Sequence, residues 1–231
     1  LPGVGHSVES VQVPYLFLAA TVFALAILFA KLNLPVVAEH QIANNEQVSQ
    51  SLWQHKHLVL GAVALFLYVG AEVAIGSFVI NFIAEPDIAN ISESKAARYL
   101  MLYWGGAMVG RFIGSVVMRF VKARIVLAVN GLAAVLLLAI TMTTDGYLAM
   151  YALLFTGLCN SIMFPTIFSL SIAKLGGLTG KGSGLLCLAI VGGAVLPLVQ
   201  GLVADGWDIK ISFIVPLCCY VFIIWFALSK V

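Results

Sequence analysis

The residues most able to do chemistry stand inside long apolar runs. Glu72 lies in the run YVGAEVAIGSFVINF (68–82), and Tyr68 and Gly76 fall on the same helical face at four-residue spacing. A carboxylate there can accept hydrogen bonds from sugar hydroxyls or carry a proton. A polar group within a membrane is costly, so by default it indicates a functional site. The structural alternative is a neutral Glu that ties two helices together. Asn81, later in the run, falls on another face.

A second polar group lies in the run GLCNSIMFPTIFSL (157–170). Pro165 lacks an N–H and clashes with the carbonyl of Ser161, so a helix is expected to kink there. A kink beside Asn160 frees backbone acceptors, which is tolerated in a membrane only next to protein or a watery cavity. With Phe164 on its face, Asn160 suits sugar binding. An Asn that joins two helices explains the pattern equally well.

Aromatic and amide residues elsewhere complete the candidates. Tyr103 and Trp104 can stack on the apolar face of a pyranose, although most such residues anchor at the membrane interface. Pro197, three residues before Gln200, offers a second kink. The candidate substrate-binding residues are Tyr68, Glu72, Asn81, Tyr103, Trp104, Asn160 and Gln200, and the candidate hinges are Gly76, Pro165 and Pro197.

The sequence carries no pattern typical of catalysis, such as Ser/His/Asp, Cys/His or paired carboxylates. The Gly-rich stretch 174–183 departs from a phosphate-binding loop, because Gly182 stands at the Ser/Thr position. All four cysteines stand in apolar runs and are interpreted as buried small hydrophobic residues. His55 and His57 form an H-x-H pair that could hold a metal, but an interfacial segment is the simpler interpretation. We expect no enzyme activity, metal or organic cofactor.

Composition indicates the medium in which these residues work. The chain has 231 residues, of which 62% are hydrophobic and only 10% charged, against roughly 25% charged in soluble domains. About 20 apolar residues cross a bilayer as a helix, and long runs without alternation exclude a β-barrel. The prediction is an all-α integral membrane protein with about seven spans, over residues 14–33, 58–84, 99–121, 125–143, 147–172, 185–203 and 211–229.

Charge bias predicts the orientation, because cytoplasmic loops of membrane proteins carry an excess of Lys and Arg. If residues 1–13 are outside, the basic residues outside are Lys95, Arg98 and Lys210. The inside then holds Lys31, Lys56, Arg119, Lys122, Arg124, Lys174, Lys181 and Lys230. This predicts a cytoplasmic C-terminus. Residues 34–57 form a cytoplasmic linker that separates one span from a group of six.

The last six spans contain an internal repeat. Trp-Gly-Gly-Ala-Met, centred on Gly106, resembles Val-Gly-Gly-Ala-Val, centred on Gly193, and the same spacing separates Gly70 from Gly157. Because each set has three helices, the second set must be inverted relative to the first. This is the 3+3 inverted repeat found within one half of a two-lobed transporter.

Four runs carry a resemblance to a known family: residues 68–82, 157–170, YWGGAMVGRFIGS (103–115) and GSGLLCLAIVGGAVLP (182–197). The chain resembles the glucose/galactose branch of the fucose–galactose–glucose symporter family, within the major facilitator superfamily. The resemblance implies a twelve-span protein of two six-helix lobes in a bacterial inner membrane, transporting a hexose by alternating access. The hexose is expected to be glucose or galactose, with fucose-like sugars as an alternative. H⁺ or Na⁺ would be the coupling ion.

The resemblance also assigns parts of the chain. Residues 1–33 would be the last helix of an otherwise missing N-terminal lobe, 34–57 the inter-lobe linker and 58–231 the C-terminal lobe. Expected partners are a sugar, membrane lipid and the missing lobe, with no nucleic acid. Glu72 and Asn160 match residues of the family's seventh-span and tenth-span motifs. Met118 departs from the superfamily's loop motif, which has Asp there, so a latch built on that motif should be weaker.

One function of another class fits the span count, namely a seven-helix receptor or another membrane protein that does not transport. A retinal protein of this kind needs a Lys in mid-membrane, and no predicted span contains one. The motifs therefore favour a secondary transporter.

Overall fold

The structure, a computed structural model, describes residues 8–31 and 52–229. The chain divides into two compact units, 1–44 and 45–231. The first unit contains helix α1, Val8–Lys31. Its described apolar part, Tyr15–Leu28, is shorter than the length that crosses a bilayer. The span predicted over 14–33 therefore stays a prediction. Most of the predicted linker, through residue 51, lies outside the described residues.

All the regular secondary structure among the described residues of the second unit is helical. A short 3₁₀ turn, Leu52–Gln54, precedes helix α2, and another, Gly176–Leu178, precedes α7. The helices are α2 Lys56–Ala84, α3 Glu93–Val117, α4 Ala123–Thr143, α5 Gly146–Asn160, α6 Met163–Ile172, α7 Thr179–Ala189, α8 Gly192–Gly206, α9 Ile209–Ser212 and α10 Ile214–Leu228.

Six stretches of the described residues are long and apolar enough to cross a membrane, which confirms six predicted spans. Three of them are single helices, α2, α3 and α4. The other three are each built from two pieces: α5 with α6, α7 with α8, and α9 with α10. The span predicted to begin at residue 185 begins earlier, at Gly176, and Gly182 within it packs closely on Leu175 and Leu58.

The helix pairings show the predicted repeat. The first set of three is α2, α3 and α4, and the second is α5–α6, α7–α8 and α9–α10. Between the sets, α2 corresponds to α5–α6, α3 to α7–α8 and α4 to α9–α10. The contact of α2 with α8 is then equivalent to that of α5 with α3, and the contact of α2 with α10 is equivalent to that of α5 with α4. Exchanging the two sets leaves this list of pairs unchanged, as an inverted repeat requires.

Two glycines of the repeat permit the closest of these crossings. A Cβ on Gly157 would stand 2.1 Å from the carbonyl oxygen of Tyr103, and one on Gly192 would stand 2.0 Å from that of Phe66. Only glycine fits against a backbone at such distances, as small residues do at membrane helix interfaces. The two contacts join α5 to α3 and α8 to α2.

The core lies around α2, which is the most enclosed of the single-helix spans. The large buried side chains of the core include Tyr68 and Phe82 of α2, Tyr103 of α3 and Tyr220 of α10. Many large apolar side chains face outward instead, such as Phe112 at 70% exposed. In water such a surface would be a liability, whereas in a bilayer it is the surface that lipid covers.

Candidate functional site

The site begins at the break between α5 and α6. Helix α5 ends at Asn160 and α6 begins at Met163, two residues before Pro165. Pro165 has no N–H to offer the Ser161 carbonyl, and that carbonyl accepts a hydrogen bond from Arg111 Nε at 3.2 Å. The Asn160 carbonyl accepts one from the Tyr68 hydroxyl at 2.8 Å. Side chains of α2 and α3 thus satisfy backbone acceptors at the break.

The Asn160 side chain extends this network to a fourth helix. Its Nδ2 donates to the Tyr103 hydroxyl at 2.9 Å, and its Oδ1 accepts from the Tyr220 hydroxyl at 2.6 Å. The Tyr103 hydroxyl in turn donates to the backbone carbonyl of Glu72 at 3.0 Å. Asn160 and the three tyrosines of the network are all buried. One asparagine therefore bonds to α2, α3 and α10 at once.

The Glu72 carboxylate stands at the edge of this cluster. It is partly buried, beside the Tyr68 hydroxyl and within electrostatic range of the Arg111 guanidinium. The cation thus comes from the neighbouring helix α3. A carboxylate with a hydroxyl beside it and a cation within electrostatic range can also accept hydrogen bonds from a polar ligand.

An aromatic surface adjoins the cluster. The rings of Tyr103 and Trp104 meet edge to face at 5.1 Å, and Trp104 remains 46% exposed. Gly76 lies opposite, where a Cβ would stand 3.2 Å from the indole. An exposed indole can stack on the apolar face of a sugar ring.

The remaining predicted residues lie apart from the cluster. Asn81 is exposed towards the end of α2. Gln200 is buried in α8 and donates to the Ser212 hydroxyl at 3.2 Å, while its Oε1 has no partner among the described residues. Pro197 lies within α8, one turn after that helix begins. The structure thus brings together Tyr68, Glu72, Tyr103, Trp104, Asn160, Gly76 and Pro165, and leaves Asn81, Gln200 and Pro197 outside the group.

Two residues of the cluster were not among the sequence candidates. Arg111 carried a signal, because a charged residue within a span marks a functional site by default. Tyr220 follows two cysteines in the most apolar helix, and nothing in its sequence neighbourhood distinguishes it from an ordinary core residue. Only its place opposite Asn160 assigns it to the network.

Six spans in two inverted sets of three, with a polar cluster at a broken helix, define one lobe of a two-lobed membrane transporter. Comparison with known proteins agrees. No family model matches the chain, but individual relatives do. The glucose/galactose transporter of Brucella abortus is 50% identical over 225 residues, which are 97% of this chain and 55% of that protein.

More distant relatives give the same result. The L-fucose-proton symporter of Escherichia coli is 33% identical over 96% of this chain and 52% of its own length. The crystal structure of the major facilitator superfamily transporter FucP, in the outward conformation, matches with a TM-score of 0.84 and 31% identity. That match covers 95% of this chain and 54% of FucP, its C-terminal half. The chain belongs to the major facilitator superfamily and spans about half the length of the curated relatives it matches.

Proposed function

We propose that the chain is the C-terminal lobe of a hexose transporter that works by alternating access. In this proposal residues 58–231 form the lobe, 34–57 the cytoplasmic linker and 1–33 the last helix of a preceding lobe. One observation carries the proposal: in a lobe related to a glucose/galactose transporter, Tyr103 links Glu72 to Asn160 beside a broken helix, and its ring contacts the exposed indole of Trp104.

The substrate we propose is glucose or galactose, with fucose-like sugars as the alternative. A pyranose offers hydroxyls to Glu72 and an apolar ring face to Trp104. Asn160 and Tyr68 support this surface from behind, since their polar groups are already engaged with each other. Gly76 and Pro165 lie where the surface would have to move during transport.

The coupling ion we propose is the proton, with Na⁺ as the alternative. A relative at 33% identity is named as a proton symporter. The membrane is the bacterial inner membrane, and the C-terminus is cytoplasmic.

Uptake into vesicles tests this proposal. The protein that carries this chain, in the longest form its reading frame encodes, is reconstituted into proteoliposomes with labelled galactose outside. An acid-outside pH gradient should drive concentrative uptake that unlabelled glucose inhibits, and a Na⁺ gradient alone should not. A Trp104→Ala variant should lose most of this uptake, whereas Trp53→Ala, exposed outside the lobe's spans, should keep it. Absence of hexose uptake under either gradient would contradict the proposal.

A further inference from the structure

A cationic cavity lies at the membrane end where α3 begins. It has a volume of about 650 Å³, and its polar lining consists of Asn90, Ser92, Lys95, Arg98 and Tyr99. No acidic side chain is among the described residues that line it. The cavity therefore presents two positive charges and several hydrogen-bond donors to one small volume.

These two cations have no ion-pair or hydrogen-bond partner among the residues that the structure describes. At the same end of the lobe Lys210 is paired with Asp145, but neither Lys95 nor Arg98 makes a salt bridge or side-chain hydrogen bond to any described residue. The charge bias of the chain places few basic residues at this face. Two cations thus share one cavity whose described lining holds no carboxylate, and a bound anion would neutralise them.

An apolar groove continues from this cavity along the same face of α3. The two share Leu102, and the groove has a volume of about 470 Å³ between α3 and α5. Met101, Met108, Phe155 and Leu158 line it, and Gly105 leaves its floor open. From Lys95 to the end of the groove at Val109 the helix rises about 20 Å.

The combination matches one chemical class. Half of the hydrocarbon core measures about 15 Å, so the cavity and the groove, which together run about 20 Å from a charged interface, reach the depth of one leaflet. An inorganic anion would satisfy the cations but not the groove, and a neutral lipid would satisfy the groove but not the cations. We propose that α3 and α5 bind an anionic phospholipid, with its phosphate at Lys95 and Arg98 and one acyl chain in the groove.

Native mass spectrometry of the protein that carries this chain tests the proposal with two probes, dioleoylphosphatidylglycerol and dioleoylphosphatidylcholine. The wild type should bind the anionic lipid more tightly. Because each basic residue contributes appreciably to anionic-lipid attraction, Lys95→Ala with Arg98→Ala should weaken that binding roughly tenfold or more and remove the preference. Binding of the neutral lipid should stay unchanged in this variant.

A second variant tests the groove separately. Gly105→Leu places an apolar side chain in the groove from a position where a Cβ meets no atom within 4 Å, and it should weaken binding of both lipids. Lys210→Ala and Gly184→Leu are the matched controls, one an already paired cation and the other an open glycine in α7. Both controls should bind like the wild type.

Three outcomes would overturn the proposal. These are equal affinity for the two lipids in the wild type, unchanged lipid binding after loss of both cations, and displacement of the anionic lipid by inorganic phosphate alone. The last would indicate a phosphate site. A fourth result, absence of lipid binding in the wild type, would overturn the proposal too, because it would indicate that another part of the longer protein covers the groove.

Discussion

At the scale of single residues, Asn160 and Glu72 share a cluster but differ in their freedom to meet a ligand. Asn160 is fully buried and uses its carbonyl, its amide nitrogen and its amide oxygen on three tyrosines. To bind a sugar it would have to give up one of these bonds. Glu72 is only partly buried and its carboxylate stands at the edge of the cluster. We therefore infer that Glu72 and Trp104 meet the ligand and that Asn160 positions them.

Replacing Asn160 should reduce stability. Asn160→Ala leaves the buried Tyr220 hydroxyl without its acceptor, and an unsatisfied buried group costs about 1–3 kcal/mol. Tyr220→Phe removes the donor and leaves the buried Asn160 Oδ1 without a partner, so it should cost a similar amount, about 1–3 kcal/mol. Thermal unfolding in detergent measures both, with Tyr147→Phe, an exposed tyrosine, as the control. An unchanged midpoint for Asn160→Ala would contradict the positioning role.

Replacing Glu72 should instead affect the ligand. Glu72→Gln keeps the shape of the side chain but loses its charge, and hydrogen bonds to charged groups contribute about 1.5–3 kcal/mol. Equilibrium affinity for the hexose should therefore fall by roughly one to two decades. Glu85→Gln, an exposed carboxylate at the end of α2, should bind normally.

That binding measurement separates the two roles of Glu72. If the residue were a neutral tie between helices, Gln would substitute for it and the affinity would stay the same. Wild-type affinity of Glu72→Gln at normal expression would thus remove the carboxylate from the proposed site.

At the scale of helices, the inverted repeat is built on close backbone crossings. Gly157 lets α5 approach the Tyr103 carbonyl on α3, and Gly192 lets α8 approach the Phe66 carbonyl on α2. The first crossing also sets the position of the cluster, because Tyr103 supplies one of its hydroxyls. Gly70, the repeat counterpart of Gly157, also makes a close approach, since a Cβ there would stand 2.9 Å from the Gly192 carbonyl oxygen, whereas Gly105, the counterpart of Gly192, faces open space.

Alanine at either crossing should therefore damage the lobe. A Cβ about 2 Å from a backbone oxygen forces the helices apart, so Gly157→Ala and Gly192→Ala should each lower the unfolding midpoint and the yield of folded protein. Gly105→Ala, in the same part of the lobe but facing open space, is the matched control. Equal stability of all three variants would show that these crossings are looser than described.

At the scale of the whole molecule, the two ends of the lobe differ in their contacts. One end holds the Lys210–Asp145 ion pair and the bond from the Gly146 N–H to the Asp87 carbonyl at 2.9 Å. The other holds the bond from Arg124 to the Ser229 carbonyl, near the end of α10. Both sets join helices that are distant in sequence, so each membrane face of the lobe is tied together.

Orientation in the membrane is the prediction at this scale. The excess of basic residues near the Arg124 end favours the cytoplasm for that end. A protease-cleavable tag inserted beside Asp87 should be cut from outside in intact cells, and one placed after Val231 should be protected until the cells are opened. Cleavage in the reverse pattern would contradict the proposed cytoplasmic C-terminus.

The sequence alone determined the properties that depend on local composition. Runs of about 20 apolar residues predict spans wherever they occur, since any exposed backbone group is costly in lipid. Such runs predicted six spans, the matching glycine motifs predicted their inverted repeat, and Pro165 predicted the break. The similarity of Gly70 to Gly157 carried the repeat, because close helix crossings demand small residues whatever their partner is.

The tertiary structure decided which polar groups meet. Gln200 and Asn81 were sequence candidates alongside Asn160, yet the fold turns Gln200 towards Ser212 and leaves Asn81 exposed. Tyr220 joined the network only because α10 passes beside the end of α5. Hydrogen bonds need partners within about 3 Å, and sequence spacing does not specify such distances between helices. The sequence therefore predicts the membrane spans, whereas the packing of those spans determines which residues form the site.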